Sequence, residues 1–521
     1  MLNKKESMLK GIMSLLISQV LIKVIGLVYK LYLTNKDGFG DSGNAIYSSG
    51  FQIYALLLTF SSTGVPNAIS YLVSERLAVG DNRGAHKIFK IAFVTFAIIG
   101  IFGSVLLFLF AETIANSWIQ IPEAKYSLIS LSPSIFFVSI TSVIRGYFNG
   151  RQKFSATAKS QTIEQIFKTV FTIILVEMVV IIGKNNTTIM AAAANMATTI
   201  ATISSFSYIY MYYRLRRREI GQEIIETVNY KPTRIRKTLK KIIKVAFPIS
   251  ISSLISSFGK NIDSFTIVRF LKNFLTEEEA KIEYGILSGK IDSLCSLPFA
   301  LNVAFVTTMV PNISKSMAKG DKEEVKNKIE KFIFISILIA LPMSAIMFMF
   351  PKQIMHLLFP NAQSGAIYLK VSSIAVVFMI LTQTMSGILQ GIGKASIPPI
   401  ALGIGMIIKF LCNIFLVPNP KIGIFGALIG NIVCNIISSV IEIIVILKNI
   451  DLNLKLSKYI ICPIISTLIM SIVANSLYNR LECIKIEYLV IILTLIISIL
   501  IYVICTIIFN INSINFKKMH K

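Results

Sequence analysis

Charge is scarce in this chain, and most of it has one sign. Of 521 residues only 15% are charged, with 52 Lys and Arg against 26 Asp and Glu. Hydrophobic residues make up 54%, and the mean hydropathy is +0.71. Soluble globular proteins carry about 25% charged residues, so the composition excludes that class and indicates a polytopic membrane protein. Histidine occurs only as His86, His356 and His520, with no HExxH, which removes that route to zinc hydrolysis. The six cysteines (Cys295, Cys412, Cys434, Cys462, Cys483 and Cys505) form no CxxC, so neither a disulfide framework nor a zinc site is indicated. "GILQGIGKAS" lacks both the spacing and the hydroxyl of a Walker A loop, which argues against direct ATP drive. No paired acids of the DxD form stand in a cytoplasmic loop, and "TEEEA" is a short solvated run. The expectation is a transporter rather than an enzyme, with no catalytic residue, metal or cofactor. Coupling to Na+ or H+ stays open.

Long apolar runs fill the rest. About 20 apolar residues cross a bilayer as a helix, and fourteen stretches qualify. They fall near 10–34, 46–73, 87–111, 127–148, 160–183, 188–213, 242–271, 284–310, 327–350, 366–390, 396–417, 423–447, 458–478 and 486–510. The basic, then apolar N-terminus has no small-residue cleavage site and reads as a retained first span. Loops such as "SERLAVGDNRGAHKIFK" and the segment from Arg214 to Lys244 are basic, whereas those between them are poor in Lys and Arg. Cytoplasmic loops carry the basic excess, so both termini are expected in the cytoplasm. The same placement makes the net charge of +26 a topology signal rather than a nucleic-acid footprint.

The chain also repeats itself. "VPNAIS" at 65–70 pairs with "VPNIS" at 310–314, Gly80-Asp81 with Gly320-Asp321, and "GYFNG" at 146–150 with "GILQG" at 387–391. The offsets are 245, 240 and 241 residues, in the same order. A six-span unit repeated in parallel orientation implies a pseudo-twofold along the membrane normal and a substrate path between the halves. The expected fold is an all-α polytopic membrane protein: an N-terminal lobe 1–213, a basic linker 214–241, a C-terminal lobe 242–450, and two extra spans with a basic tail in 451–521.

These features resemble the multidrug/oligosaccharidyl-lipid/polysaccharide exporter superfamily. "IRGYFNGRQKFSATAKSQTIEQIFK" at 144–168 is similar to the signature of its polysaccharide-biosynthesis branch, and "LIKVIGLVYKLYL", "GVPNAISYLVSERLAVGD" and "IDSFTIVR" are similar to the same group. The long polar loop "NKDGFGDSGNAIYSSG" departs from it. The resemblance implies a flippase in the cytoplasmic membrane that moves a polyprenyl-diphosphate-linked sugar precursor by alternating access. It also implies a cationic cavity between the lobes, lined by spans one, two, seven and eight. The expected partners are that lipid-linked oligosaccharide and membrane lipids, with the protein a monomer. The alternatives are a cation-coupled multidrug exporter on the same scaffold and a membrane-embedded glycosyltransferase.

An ionisable residue at the bilayer centre costs about 2.5–3.5 kcal/mol on insertion scales, and its default reading is functional. On span seven Lys260 and Asp263 share a face, as a substrate-binding and gating pair or as a self-neutralising one, while Arg269 can snorkel outward. On span eight Lys290 and Asp292 point to opposite sides, and a diphosphate favours Lys290 for the cavity. Span one adds Lys23 near mid-span, with Gln19, and Lys30 near the outer end. Arg145 ends span four as a topology anchor or a substrate-binding cation. Glu164 forms either a helical pair with Lys168 or a coupling site. Glu177, deeper and without a local partner, is either a protonatable coupling group or an inter-helix hydrogen-bonder. Lys370, Lys409 and Glu442 read as packing or snorkelling groups.

Overall fold

The computed structural model describes residues 8–59, 64–183, 186–225, 227, 234–450, 461–481 and 487–519. Among them all regular secondary structure is helical. Packing divides the chain between Gly289 and Lys290 into two compact units.

The first unit contains α1 (Met8–Asn35), α2 (Gly40–Thr59), α3 (Val65–Ala78), α4 (Asn82–Thr113), α5 (Ala124–Gly150), α6 (Phe154–Ile181), α7 (Thr187–Leu215), α8 (Arg217–Ile225), α9 (Ile235–Leu271) and α10 (Glu277–Gly285). The second contains α11 (Asp292–Ala318), α12 (Lys322–Met349), α13 (Pro351–Leu358), α14 (Ala366–Gly391), α15 (Ile397–Leu416), α16 (Phe425–Asn449), α17 (Cys462–Leu481) and α18 (Glu487–Met519). Each of the fourteen expected stretches is helical where described, apart from one or two turn residues at some ends. Among the described residues nine helices are long and apolar enough to cross a membrane. The helix α6 has the length but carries Lys159, Glu164, Lys168 and Glu177. The stretch 46–73 is split between α2 and α3, with Pro66 in the first turn of α3, where its missing N–H costs nothing.

In the first unit α5 is central, packed by α2, α3, α4 and α7. Its serine-rich sequence suits that place. Ser132, Ser134 and Ser139 return their hydroxyls to carbonyls one turn back, and small side chains let apolar helices approach closely. The flanking α4 instead turns Ile98, Phe102 and Leu109 outward, an apolar face suited to lipid.

The duplication is visible as repeated geometry inside each unit. A Cβ on Gly146 would lie 2.7 Å from the Pro66 carbonyl oxygen, and one on Gly150 2.7 Å from that of Ser70, so α5 rests on the backbone of α3. At the same offset Gly387 faces Val306 and Met309, and Gly391 faces Val310 and Ile313, so α14 rests on α11. Asp81 caps α4 by accepting from Gly84 N at 2.7 Å, and Asp321 caps α12 by accepting from Glu324 N at 2.8 Å. Each cap follows a left-handed glycine, Gly80 at φ 77° and Gly320 at φ 73°. Lys153 N donates to Phe148 O at 2.9 Å, and Lys394 N to Leu389 O at 2.7 Å, closing equivalent turns.

Compact packing and sequence duplication divide the chain at different places. The C-terminal lobe expected from the sequence begins at residue 242, yet α9 packs on α2 and α3, and α10 on α2, within the first unit. Two glycines allow this: Gly285 lets backbone approach the Asp41 carbonyl, and Gly289 makes room for the Asn44 side chain. Gly289 lies in a π-helical turn, Ile286–Ile291, that carries the chain into α11. The stretch 214–241 holds α8, whose Ile220 joins the first unit's core.

Candidate functional site

The charges of the first unit group around α5 and α6. Arg145, in the last turns of α5, donates through Nη2 to Glu164 Oε2 at 2.7 Å, to Ser160 Oγ at 2.9 Å and to Ser205 Oγ at 2.7 Å. A guanidinium fork suits this convergence, since one planar group presents several donors. The helical pair expected between Glu164 and Lys168 is therefore replaced: Glu164 turns to an arginine on another helix.

Lys168 turns inward instead. Its Nζ lies 4.0 Å from the ring centroid of Phe51, 5.1 Å from that of Tyr29 and 6.0 Å from that of Tyr47, on α1 and α2. The residue is 7% exposed. Ring faces attract a cation most strongly where water is excluded, so three aromatic rings stand in for a carboxylate.

Glu177 has partners after all. Near the end of α6 it accepts from Lys36 Nζ at 2.7 and 2.8 Å and from Tyr32 OH at 2.6 Å. The helices α1 and α6 run side by side in the same direction, with Ser18 against Ala158 and Ile25 against Thr169, so their ends meet. The acid expected to lie deep and unpartnered is part of an end-to-end clasp.

The remaining expected cations divide by exposure. Lys23 is exposed at the middle of α1, and Lys30 reaches the Ser288 carbonyl at 3.4 Å. The side chains of Lys260 and Gln19 lie outside the described residues. Asp263 is buried on α9, beside Ser264, which donates to Gln52 and shares a 2.7 Å hydrogen bond with Tyr284 OH. Arg269 is exposed near the end of α9. Lys290 is wholly buried and donates to the Ala362 carbonyl and Ser364 Oγ, both at 2.8 Å, tying down the turn before α14. Asp292 is half-buried.

A polar cavity of about 630 Å³ opens among Ser42, Glu123, Asn186, Thr187, Glu278 and Lys281. Lys281 bridges Glu123 at 2.6 Å and Glu278 at 2.9 Å. Burial opposes the Lys281 charge, but the two carboxylates hold it above its ordinary value, and Lys281 in turn holds Glu278 below the usual carboxylate range. In the second unit Lys370 lies 4.9 Å from the Phe348 ring, Lys409 is 3% exposed, and Glu442 is fully buried with Ser386 Oγ donating to it at 2.7 Å. Among the described residues no cluster of three His, Cys, Asp or Glu could hold a metal ion.

The aromatic cage of Lys168 escaped the sequence reading, although a signal was available. Lys168 and Lys409 stand 241 residues apart, the same offset as the two glycine motifs. Their burial marks a duplicated position rather than two unrelated lysines.

The polysaccharide biosynthesis protein family matches residues 8–317, more than half of the chain. The chain belongs to this family. The MatE family matches residues 285–415, and both place the chain in the multidrug/oligosaccharidyl-lipid/polysaccharide exporter superfamily. Among similar proteins, stage V sporulation protein B of Bacillus subtilis is 22% identical over 427 residues, 82% of this chain and 80% of that protein. Lipid II flippase MurJ of Bacillus subtilis is 24% identical over 433 residues, 79% of this chain and 78% of that protein. A solved structure of a lipid II flippase MurJ in an inward closed conformation shares the fold, with a TM-score of 0.68 at 17% identity over 97% of this chain and 99% of that one. Family and apolar helices together make this a multi-pass membrane protein, and its relatives are transporters and flippases.

Proposed function

We propose that the protein flips a polyprenyl-diphosphate-linked sugar precursor across the cytoplasmic membrane, with fourteen spans and both termini in the cytoplasm. The observation that carries the reading is Lys23, a cation exposed at the middle of α1, a helix without a single acid. A site that meets a diphosphate needs such cations, whereas an exporter of cationic drugs needs acids. Lys23 and Lys260 are assigned to head-group binding. Arg145 and Lys290 join them only on leaving their present partners, Glu164 and the turn before α14. Asp263, Glu164 and Glu177 are assigned to gating or ion coupling, with Na+ or H+ as the coupling ion and no ATP.

The relatives named for lipid II flipping and for sporulation support a lipid-linked wall precursor as the substrate class. Depletion of the protein followed by a leaflet assay of lipid-linked precursors tests the reading. Outer-leaflet precursor is expected to fall. Unchanged precursor together with accumulation of cationic dyes would establish the drug-exporter alternative instead.

A further inference from the structure

Glu442 is the most deeply buried of the second unit's described acids that this scheme leaves without a task. It lies on α16 with none of its surface exposed. One carboxyl oxygen, Oε1, accepts from Ser386 Oγ at 2.7 Å. The other, Oε2, is buried and has no hydrogen-bond partner among the described residues.

Among the described residues no fixed cation forms an ion pair with it. The helices packed along α16 are α14 and α15. Their charged and titratable groups are Tyr368 and Lys370 on α14, and Lys409 and Cys412 on α15, with Tyr368 packed on Phe425 at the far end of α16. Lys370 is sixteen residues before Ser386 on α14, about 24 Å along the axis. The Lys409 stem lies against Gly430, twelve residues from Glu442 on α16, about 18 Å away. On α16 itself, Lys448 is six residues further on and Cys434 eight residues back. Ile446, one turn from Glu442, packs with residues of α11 and α12, which bring Lys315 and a second buried acid, Glu330. None of these groups bonds to Glu442.

The duplicated half shows what is missing. By the 241-residue offset Ser386 occupies the place of Arg145, whose guanidinium neutralises Glu164. The second copy keeps an acid at this end of its bundle but supplies one neutral hydroxyl in place of the guanidinium. A carboxylate buried from water with no cation bonded to it is strongly disfavoured. A bound metal ion would need more oxygens than one carboxylate and one hydroxyl provide.

We propose that Glu442 is the proton-carrying group of the second unit, loaded in the present conformation and unloaded when the unit rearranges during transport. An O–H bond forms on Oε2 with a proton drawn from water, and the same bond breaks to return the proton to water, so the acid is regenerated in each cycle. The proposal rests on the transporter reading and names the site of its coupling ion.

The test uses the full chain in lipid vesicles, with lipid II as the transport probe and infrared difference spectroscopy as an independent readout. At neutral pH the wild-type protein is expected to show a carboxylic-acid C=O band that Glu442→Gln removes. Glu442→Asp, which keeps an acid, should shift that band instead, and it covers the case in which Glu442→Gln fails to fold. Wild-type flipping should respond to an imposed pH gradient, Glu442→Gln should lose the response, and Glu330→Gln should keep it. A Glu442→Gln protein that retains the gradient response, a response that follows Na+ instead, or a band unchanged by both substitutions overturns the proposal. If the wild-type protein moves no lipid II, the transporter reading and the coupling role fail together. The band then decides only whether Glu442 holds a proton.

Discussion

The Lys168 ammonium stands 4.0 Å from the ring centroid of Phe51, on a residue that is 7% exposed. This contact joins α6 to α2 without an acid on either side. Replacing Phe51 with Leu keeps apolar bulk but removes the ring face. A double-mutant cycle of Phe51→Leu with Lys168→Met should give a coupling of about 1–2 kcal/mol, the range for a desolvated cation–π contact. The cycle is read from thermal unfolding in detergent, and a coupling near zero would make the cage incidental.

The two packing glycines of the repeat differ in what they touch. At Gly146 an added methyl would meet the Pro66 carbonyl oxygen at 2.7 Å, which is backbone and cannot yield. At Gly387 it would meet Val306 Cγ1 at 2.5 Å and Met309 Cε at 2.7 Å, side-chain atoms rather than backbone, of which the methionine tip can turn away. Gly146→Ala is therefore expected to lower the melting temperature more than Gly387→Ala. Equal effects would mean that α5 and α3 can separate as readily as α14 and α11.

Gln152 adopts φ 59°, while the equivalent position in the second copy is Gly393 at φ 85°. A side chain in the left-handed region costs roughly 1 kcal/mol, a strain glycine does not carry. Gln152→Gly should stabilise the protein by up to about 1 kcal/mol, and Gly393→Ala should destabilise it by a similar amount. Urea titration of both variants checks the opposite signs.

The Lys281 bridge gives a pH dependence of known sign. Because Lys281 holds Glu278 below the usual carboxylate range, the stabilisation is fully present above the ordinary carboxylate value of about 4.3 and is lost as pH falls through the lowered one. The effect is small, since Glu278 is largely exposed. Melting temperature measured from about pH 6 down to about pH 3 should fall less steeply in Glu278→Gln than in the wild-type chain. Parallel curves would remove Glu278 from the bridge.

Helices, repeat and family were all legible in the sequence, because each rests on local pattern: apolar runs, the spacing of the paired glycine motifs and the stretch at 144–168. The partners of the charges were not. Glu164 has Lys168 one turn away on its own helix, and only the packing of α5 on α6 brings Arg145 to it instead. Glu177 looked isolated because Lys36 follows the end of α1 and is far away in the chain. Lys290 resembled a free cavity cation until the turn before α14 closed over it. These pairings depend on how one helix is rotated against another, which periodicity within a single helix does not specify.

Because the chain contains its own homologue, each half serves as a reference for the other. The glycines that seat α5 on α3 and α14 on α11, the aspartate caps and the buried lysines Lys168 and Lys409 recur at the repeat offset, and they mark the scaffold. Arg145 against Ser386, Glu164 against Gly405 and Gln152 against Gly393 mark where the copies have specialised. A swap of residues between paired positions is thus a graft that evolution has already tried once on the same frame.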